Sequence, residues 1–473
     1  MPIAPRALAL PLAVLLAASC DDTGPKKVDP PVTGATAAAP AHAPTGGSLS
    51  REGWFGSGDP LHARVEVRGV ERAAGKATAR LVVTSLDASA KQAAFPVTLL
   101  DPVNRRLYRP ATAPEARPFA PNAPQEVTVD FPALSGRPEK LTVLTPGSAG
   151  EITGVPVTGT DAPPTAPAAV DLYDITEGET RDVTAGASDV KLNLRADVLF
   201  ASGKATLGER AEQVLDEAAK EIKAEADPSR PLTLNGHTDG EGDDDRNLKL
   251  SRERAEAVEK ELRTRLGSGF TYTTSGRGEQ DPVAREGGKD DTSARSRNRR
   301  VEISYAVRRT ETTATTAATA TASTSPAPRG GTATPAAFRA QDGAKVASRH
   351  ARFGGQKRRI DVKPFYRDGA YIVAVFDLVN EGPGTTPPDA SYSHQDYPGG
   401  LFTSFSVVNG KDVHRAVRIG TGTTYLSALS AAFRTAPGEP SRAYVYLPAP
   451  PGDPRTVVFD AGPFGKVNNV PVS

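Results

Sequence analysis

The chain has 473 residues, and at roughly 150 residues per domain this length allows about three domains. Its 57 Lys and Arg residues nearly balance 56 Asp and Glu residues, which leaves a formal net charge of +1. This balance argues against a nucleic-acid partner, because binding phosphates requires a basic surface. The single Cys excludes an intrachain disulfide framework and a zinc site built on several cysteines. No run of roughly 20 apolar residues, the length of a membrane-spanning helix, is present.

The N-terminus carries the features of an export signal. Arg6 supplies a positive charge, residues 7–16 are apolar, and the small residues 17–19 directly precede Cys20. This pattern resembles a bacterial lipoprotein signal, which implies that residues 1–19 are removed and that Cys20 carries the lipid. An ordinary secretory signal followed by a free Cys is the alternative.

Two segments have the composition of linkers. Residues 20–47 are rich in Pro, Ala, Gly and Thr, which predicts a flexible tether with a root-mean-square reach of roughly 28 Å. Residues 309–337 are dominated by Thr, Ala, Pro and Ser and are expected to be disordered, because they cannot bury a core.

The two flanking regions, residues 48–162 and 338–473, consist of short alternating apolar runs between Pro and Gly breaks. Such spacing predicts antiparallel β-sandwiches, which we assign to the immunoglobulin-like type. The two regions share an order of motifs near their ends, which suggests two copies of one sandwich. Trp54, the single Trp, is expected in the core of the first copy.

Residues 185–306 alternate strand and helix patterns. Apolar residues recur at helical spacing from Leu207 to Ile222 and from Ala255 to Leu266, and Gly267 closes the second helix. Strand patterns occur at 190–194, 232–234, 272–274 and 301–305. The predicted order is β-α-β-α-β-β, so the fold class of the whole chain is α+β.

Three sequence blocks in this middle region form a recognisable constellation. They are Gly236-His237-Thr238-Asp239 followed by Asn247, Leu250-Ser251 and Arg254-Ala255; then Gly276-Arg277-Gly278-Glu279; then Asn298-Arg299-Arg300-Val301-Glu302-Ile303. In order and spacing they resemble the OmpA-like C-terminal domain, which peptidoglycan-associated lipoproteins and motility stator proteins share. The resemblance covers about a quarter of the chain.

This resemblance implies a function and a set of binding residues. The family binds peptidoglycan by the free end of diaminopimelate in the stem peptide, which carries an ammonium and a carboxylate on one carbon. The family's binding anion falls on Asp239 and its cation on Arg254, and a bidentate guanidinium fork suits a carboxylate. Thr238, Asn247 and Arg299 match positions that line or brace the pocket.

Each of these residues also has an ordinary structural interpretation. Asp239 in a Gly-rich loop could form a turn, Arg254 could lie on a solvated helix face, and Asn247 could cap the helix. The acidic run 241–245 lacks EF-hand spacing and is expected to be a solvated loop rather than a calcium site. Two departures from the family pattern are Ala201-Ser202-Gly203, where an acidic residue or Asn is usual, and Arg277, where Tyr is common.

The sequence therefore predicts a non-enzymatic protein without cofactor or metal that tethers a lipid-anchored chain to peptidoglycan. We expect it in the cell envelope, on the outer face of the cytoplasmic membrane or in an outer membrane if one exists. The alternative is an adhesion or interaction protein whose β-sandwiches bind a protein partner, with the OmpA-like domain only localising it. A motility stator component and a wall hydrolase are less favoured, since the chain shows neither a membrane-spanning run nor a hydrolase motif.

Overall fold

The computed structural model describes residues 48–56, 58–73, 75–160, 169–288, 291–308, 332, 334–353, 355–384, 386, 391–429 and 436–473. The predicted signal, Cys20, the tether and residues 309–331 of the predicted second linker lie outside the described residues. Within the described ranges, no helix has both the length and the apolar character needed to cross a membrane. Residues Ser48–Ser473 form a single compact unit.

The first β-rich region places two sheets face to face around an apolar core. Its strands are β1 (Ser50–Phe55), β2 (Leu61–Ala73), β3 (Lys76–Ser85), β4 (Lys91–Ala93), β5 (Thr98–Asp101), β6 (Arg106–Tyr108), β7 (Arg117–Phe119), β8 (Pro124–Pro132), β9 (Lys140–Leu144) and β10 (Glu151–Gly159). One sheet is β1-β2-β3-β8 and the other is β6-β5-β9-β10. Alternate residues of β2 and β3 are buried, as their period-two patterns require.

Two details of this region differ from expectation. The end of β10 pairs with β2 in parallel, so the sandwich is not wholly antiparallel. Trp54 is only partly buried and stacks on His62 with ring centroids 4.4 Å apart, whereas its neighbour Phe55 is fully buried. The prediction that Trp54 belongs to the core was wrong, because alternation along β1 turns Phe55 inward.

The middle region is an α/β layer pair. Its elements are β11 (Val170–Glu177), β12 (Arg181–Ala185), β13 (Asp189–Arg195), α1 (Ala196–Leu199), α2 (Glu209–Glu225), β14 (Leu232–Gly236), α3 (Asp244–Leu266), β15 (Tyr272–Gly276), α4 (Asp291–Asn298) and β16 (Arg300–Ala306). The strand order is β12-β13-β16-β14-β15, with β14 and β15 parallel. Helices α2 and α3 contact each other, and their apolar stripes share one buried cluster with the sheet. The predicted β-α-β-α-β-β order is confirmed, with α1, α4 and two leading strands in addition.

The C-terminal β-rich region repeats the pairing scheme of the first. Its strands are β17 (Ala347–Phe353), β18 (Gln356–Val362), β19 (Tyr366–Asp368), β20 (Tyr371–Asn380), β21 (Phe405–Asn409), β22 (Asp412–Arg415), β23 (Arg418–Ile419), β24 (Thr424–Tyr425), β25 (Pro440–Pro448), β26 (Thr456–Ala461) and β27 (Lys466–Pro471). The sheets β17-β18-β20-β25 and β22-β21-β26-β27 correspond to β1-β2-β3-β8 and β6-β5-β9-β10. This is the pairing expected if one unit occurs twice.

Strand β11 joins all three regions, and the sequence did not predict it. Its first residues pair with β6, Leu172 and Tyr173 pair with β23, and Thr176 and Glu177 pair with both β12 and β22. The sheet of the middle region therefore runs without interruption through β11 into β22, β21, β26 and β27. The sheet also includes residues that precede 185, the position at which we expected the OmpA-like domain to begin.

A buried ionic cluster reinforces this junction. Arg297 at the end of α4 lies 2.9 Å from Glu177 of β11 and 2.8 Å from Asp396, and its Nη2 donates to the Tyr397 hydroxyl. Arg415 of β22 lies 2.7 Å from the same Glu177. Burial alone would raise the pKa of Glu177, but the charges of Arg415 and Arg297 outweigh it and lower that pKa to about 2. The middle and C-terminal regions are thus held by charge as well as by strand pairing.

Candidate ligand-binding site

The loop between β14 and α3 is held tightly against the helix that follows it. Gly236 ends β14, and a Cβ there would lie 1.8 Å from the Ser251 backbone oxygen. The Thr238 backbone N–H donates to the Gly278 carbonyl at 2.9 Å, which fixes the loop to the segment after β15. Because both sides of the loop are fixed, the positions of Asp239 on the loop and Arg254 on α3 are determined together.

Asp239 is paired with the guanidinium group of Arg299. Its Oδ2 lies 2.5 Å from Nη1 of Arg299, and Arg299 also makes a bidentate pair with Asp197 at 2.8 Å and 2.6 Å. The hydrogen bond that Arg299 donates to Asp197, followed by the one that it donates to Asp239, raises the pKa of Arg299 despite partial burial. Burial alone would raise the pKa of Asp197, but the hydrogen bonds and charge of Arg299 lower it. The Asp197 carboxylate is therefore ionised at neutral pH.

Arg254 is buried, yet most of its hydrogen-bonding capacity is unused. Arg254 is only 4% exposed. Its Nε donates to the Lys204 carbonyl at 3.1 Å, and its guanidinium carbon lies 5.4 Å from the centre of the Phe200 ring. In the part of the chain that the structure describes, neither terminal nitrogen donates to another residue. Burial lowers the pKa of Arg254, while the carboxylates of Asp197 and Asp239 act in the opposite direction. The site therefore contains four charged side chains that influence one another: Asp197, Asp239, Arg254 and Arg299.

Thr238 and His237 bring further unpaired polar atoms to this loop. The Oγ1 of Thr238 and both ring nitrogens of His237 are buried without a hydrogen-bond partner among the described residues. Burial, and secondly the charge of Arg300, lowers the pKa of His237 to about 4, so its ring is neutral at pH 7. An unpaired buried hydroxyl costs free energy unless a ligand or an ordered water bonds to it.

Asn247 lies on the first turn of α3 and braces the loop. Its Nδ2 donates to the Glu241 carbonyl at 3.1 Å and to Glu279 Oε2 at 3.0 Å. The residue that caps the helix is Asp243, whose side chain accepts from the Arg246 backbone N–H. Asn247 therefore supports the loop, and none of its hydrogen bonds reaches Asp239 or Arg254.

Three residues that the sequence did not single out also shape the site. Asp197 of α1 supplies an acidic group near Arg254, close to the stretch 201–203 where the family's usual acid is absent. Glu286 accepts from the Gly240 backbone N–H at 3.2 Å, and Arg295 pairs with Glu241. No local sequence signal marks these residues, because their partners lie far away along the chain.

The site offers no arrangement typical of metal binding. Across the ranges the structure describes, no group of three His, Cys, Asp or Glu side chains could hold a metal ion. In the acidic run 241–245, Asp243 caps α3 and Glu241 is paired with Arg295. Among the described residues, the site offers instead the Arg254 guanidinium, whose terminal nitrogens donate to no other residue, beside the carboxylate of Asp239. This arrangement suits a ligand that carries both charges.

The middle region is similar in sequence to several known proteins. Residues 199–299 match the model of the OmpA family. The probable lipoprotein YiaD of Escherichia coli (strain K12) is 30% identical over 135 residues, which are 28% of this chain and 59% of that protein. The peptidoglycan-binding protein ArfA of Mycobacterium tuberculosis (strain ATCC 25618 / H37Rv) is 31% identical over 152 residues, 32% of this chain and 41% of that protein.

Among solved structures, the cell wall anchor of the T6SS from Pseudomonas aeruginosa is similar at 27% identity and a TM-score of 0.25. The match covers 28% of this chain and 90% of that one. The chain spans less than two thirds of the length of the two curated relatives above. The middle region is an OmpA-like domain, as its motifs predicted, and it lies between β-rich regions.

Proposed function

We propose that this protein binds peptidoglycan non-covalently through its OmpA-like domain and so ties a lipid-anchored chain to the cell wall. The observation that carries the proposal is the Arg254 guanidinium, which is buried beside Asp239 and has two nitrogens without a partner among the residues that the structure describes. The match to the OmpA family and the likeness to a protein named for peptidoglycan binding support it.

The ligand group we propose is the free end of diaminopimelate in the stem peptide. Its carboxylate would accept two parallel hydrogen bonds from Arg254, and its ammonium would donate to Asp239. Arg299 holds Asp239 in place, and Asp197 holds Arg299, so the anion is preorganised before the ligand arrives. Thr238, with its unpaired hydroxyl, would line the pocket, and Asn247 would support it from outside. We assign the site no catalytic role.

The remaining parts of the proposal concern location. We propose Cys20 as the lipid-bearing residue and residues 20–47 as the tether, which places the protein in the cell envelope on the outer face of a membrane. A similar protein is named as a probable lipoprotein, which supports this assignment. Two or more acyl chains give stable anchoring where one gives only reversible binding.

The test is co-sedimentation of residues 48–473 with isolated peptidoglycan, comparing wild type with Arg254→Ala. Hydrogen bonds to charged groups contribute about 1.5–3 kcal/mol each, so losing the fork predicts at least a tenfold weaker affinity. Asp239→Asn should also weaken binding, because it removes the charge that faces the ammonium while conserving shape.

Arg252→Ala is the matched control, since Arg252 lies on the same helix but is exposed. Thermal unfolding of each variant separates lost binding from lost folding. If folded Arg254→Ala protein sediments as wild type does, the assignment of the pocket is wrong. If wild type itself stays soluble, the interaction-protein alternative takes precedence.

A further inference from the structure

A strongly basic hairpin lies at the start of the C-terminal β-rich region. It is formed by β17 and β18 with their flanking residues, 345–363, and we call it the basic hairpin. Its cations, seven against the single carboxylate of Asp361, are Lys345, Arg349, Arg352, Lys357, Arg358, Arg359 and Lys363. Because the whole chain carries a formal net charge of only +1, this concentration of charge is local.

Three of these cations are exposed and not neutralised. Arg352 and Lys357 are direct cross-strand partners, so their side chains share one face of the hairpin. Arg349 is exposed on the edge strand, three residues from Arg352, and its side chain lies on the other face. Within the described part of the chain, no carboxylate lies within ion-pair distance of Arg349, Arg352 or Lys357. The carboxylates that are near, Asp361 and Glu381, are already paired with Arg359.

The hairpin is a rigid platform rather than a loose loop. Residues 358–362 of β18 pair with β20, which is buried almost throughout. Phe353 at the end of β17 packs edge-on against Tyr392 with ring centroids 5.4 Å apart. Charges held on such a platform lose little conformational freedom when they meet a partner.

The base of the hairpin lies beside the point where the N-terminal segment joins the compact unit. Arg51 of β1 lies 3.4 Å from Asp342, and its Nη2 donates to the Arg339 carbonyl. Asp342 precedes Lys345 by three residues, and Arg51 follows Ser48, the first residue of the compact unit, by three. The base of the hairpin therefore lies close to Ser48, where the compact unit begins.

We propose that the basic hairpin docks on the anionic phospholipid headgroups of the membrane that carries the lipid anchor. This inference rests on the lipid-anchor part of the proposed function. Cations near an anionic leaflet gain about fivefold in affinity each, and the effect decays within a Debye length of about 8–10 Å. A tether raises the effective concentration of the hairpin at the membrane, so even weak docking would be occupied.

The test uses residues 48–473, which lack the anchor, so that vesicle binding is independent of lipidation and of peptidoglycan. Co-sedimentation compares vesicles of phosphatidylcholine alone with vesicles in which about a third of the lipid is phosphatidylglycerol. The variant is R349A/R352A/K357A. The matched control, K220A/K223A/R230A, removes three exposed cations without ion-pair partners from the OmpA-like domain.

We expect wild type and the control to bind only the anionic vesicles, with binding lost when salt is raised. The hairpin variant should bind about 100-fold more weakly. Equal binding by the hairpin variant and the control would overturn the proposal, as would equal binding of wild type to both vesicle types. In either case the charges serve only to keep the edge strand β17 from pairing with other chains. Wall binding by the hairpin variant should be unchanged, so failure here and failure of the pocket are distinguishable.

Discussion

Replacing Arg297 by Ala should destabilise the whole unit, not only α4. Arg297 contacts Glu177, Asp396 and the Tyr397 hydroxyl, and its side chain is 11% exposed. Breaking a buried ion pair by removing one partner costs about 3–5 kcal/mol, because the other charge stays buried. In the variant Glu177 still pairs with Arg415, so we expect the loss in free energy of unfolding to lie at the lower end of this range, about 3 kcal/mol.

The assay is urea unfolding of residues 48–473, followed by circular dichroism and by the fluorescence of Trp54. Trp54 lies in the first β-rich region, far from Arg297 in sequence, so it reports whether distant parts unfold together. A double-mutant cycle with Asp396→Ala isolates the pair, and we expect a coupling free energy of about 1–3 kcal/mol.

Arg181→Ala is the control for this measurement. Arg181 pairs with Glu221 at 2.9 Å at a more exposed position, where an ion pair is worth about 1 kcal/mol or less. The reasoning fails if Arg297→Ala costs no more than Arg181→Ala, or if the two signals show separate transitions and only one of them moves.

Two further predictions concern acid stability and backbone packing. Burial lowers the pKa of both His237 and His414 to about 4, against about 6.5 in the unfolded chain, so the unfolded chain binds more protons between these values. The free energy of unfolding should therefore fall as pH drops from 6.5 to 4, by up to about 3 kcal/mol for each His. The urea midpoint of His414→Gln should fall less steeply over this pH range than that of wild type. An equally steep fall in the variant would contradict the prediction. Gly236→Ala should destabilise by about 3 kcal/mol or more, since its Cβ would lie 1.8 Å from a backbone oxygen of α3. Gly267→Ala, where φ is +72° but the space is open, should cost only about 1 kcal/mol, and equal losses in the two variants would exclude steric contact as the cause.

The sequence predicted those helices and strands whose buried residues recur at a regular spacing along the chain. Helices α2 and α3 and strands β13 to β16 follow apolar stripes that any window of the sequence reveals. Strand β11 was not predicted. It pairs with the neighbouring β12, but its other partners, β6, β22 and β23, lie far away in the chain. Pairing between strands that are far apart in the chain produces no periodic pattern in the local sequence.

The same limit applies to the candidate site. Asp239, Arg254 and Arg299 were predicted from the family motif, and the structure brings them together with Asp197. Asp197 was not predicted, because it precedes the motif and its role depends on Arg299 about a hundred residues later. Asn247 was expected at the pocket or at the helix cap, and its hydrogen bonds show a brace between two loops.

The pairing of β11 has a mechanical consequence if the protein connects two surfaces as we propose. A pull applied between Ser48 and the pocket at Arg254 follows the covalent chain through β11, and residues 309–473 are not on that path. The C-terminal region nevertheless shares the load through its hydrogen bonds from β22 to β11.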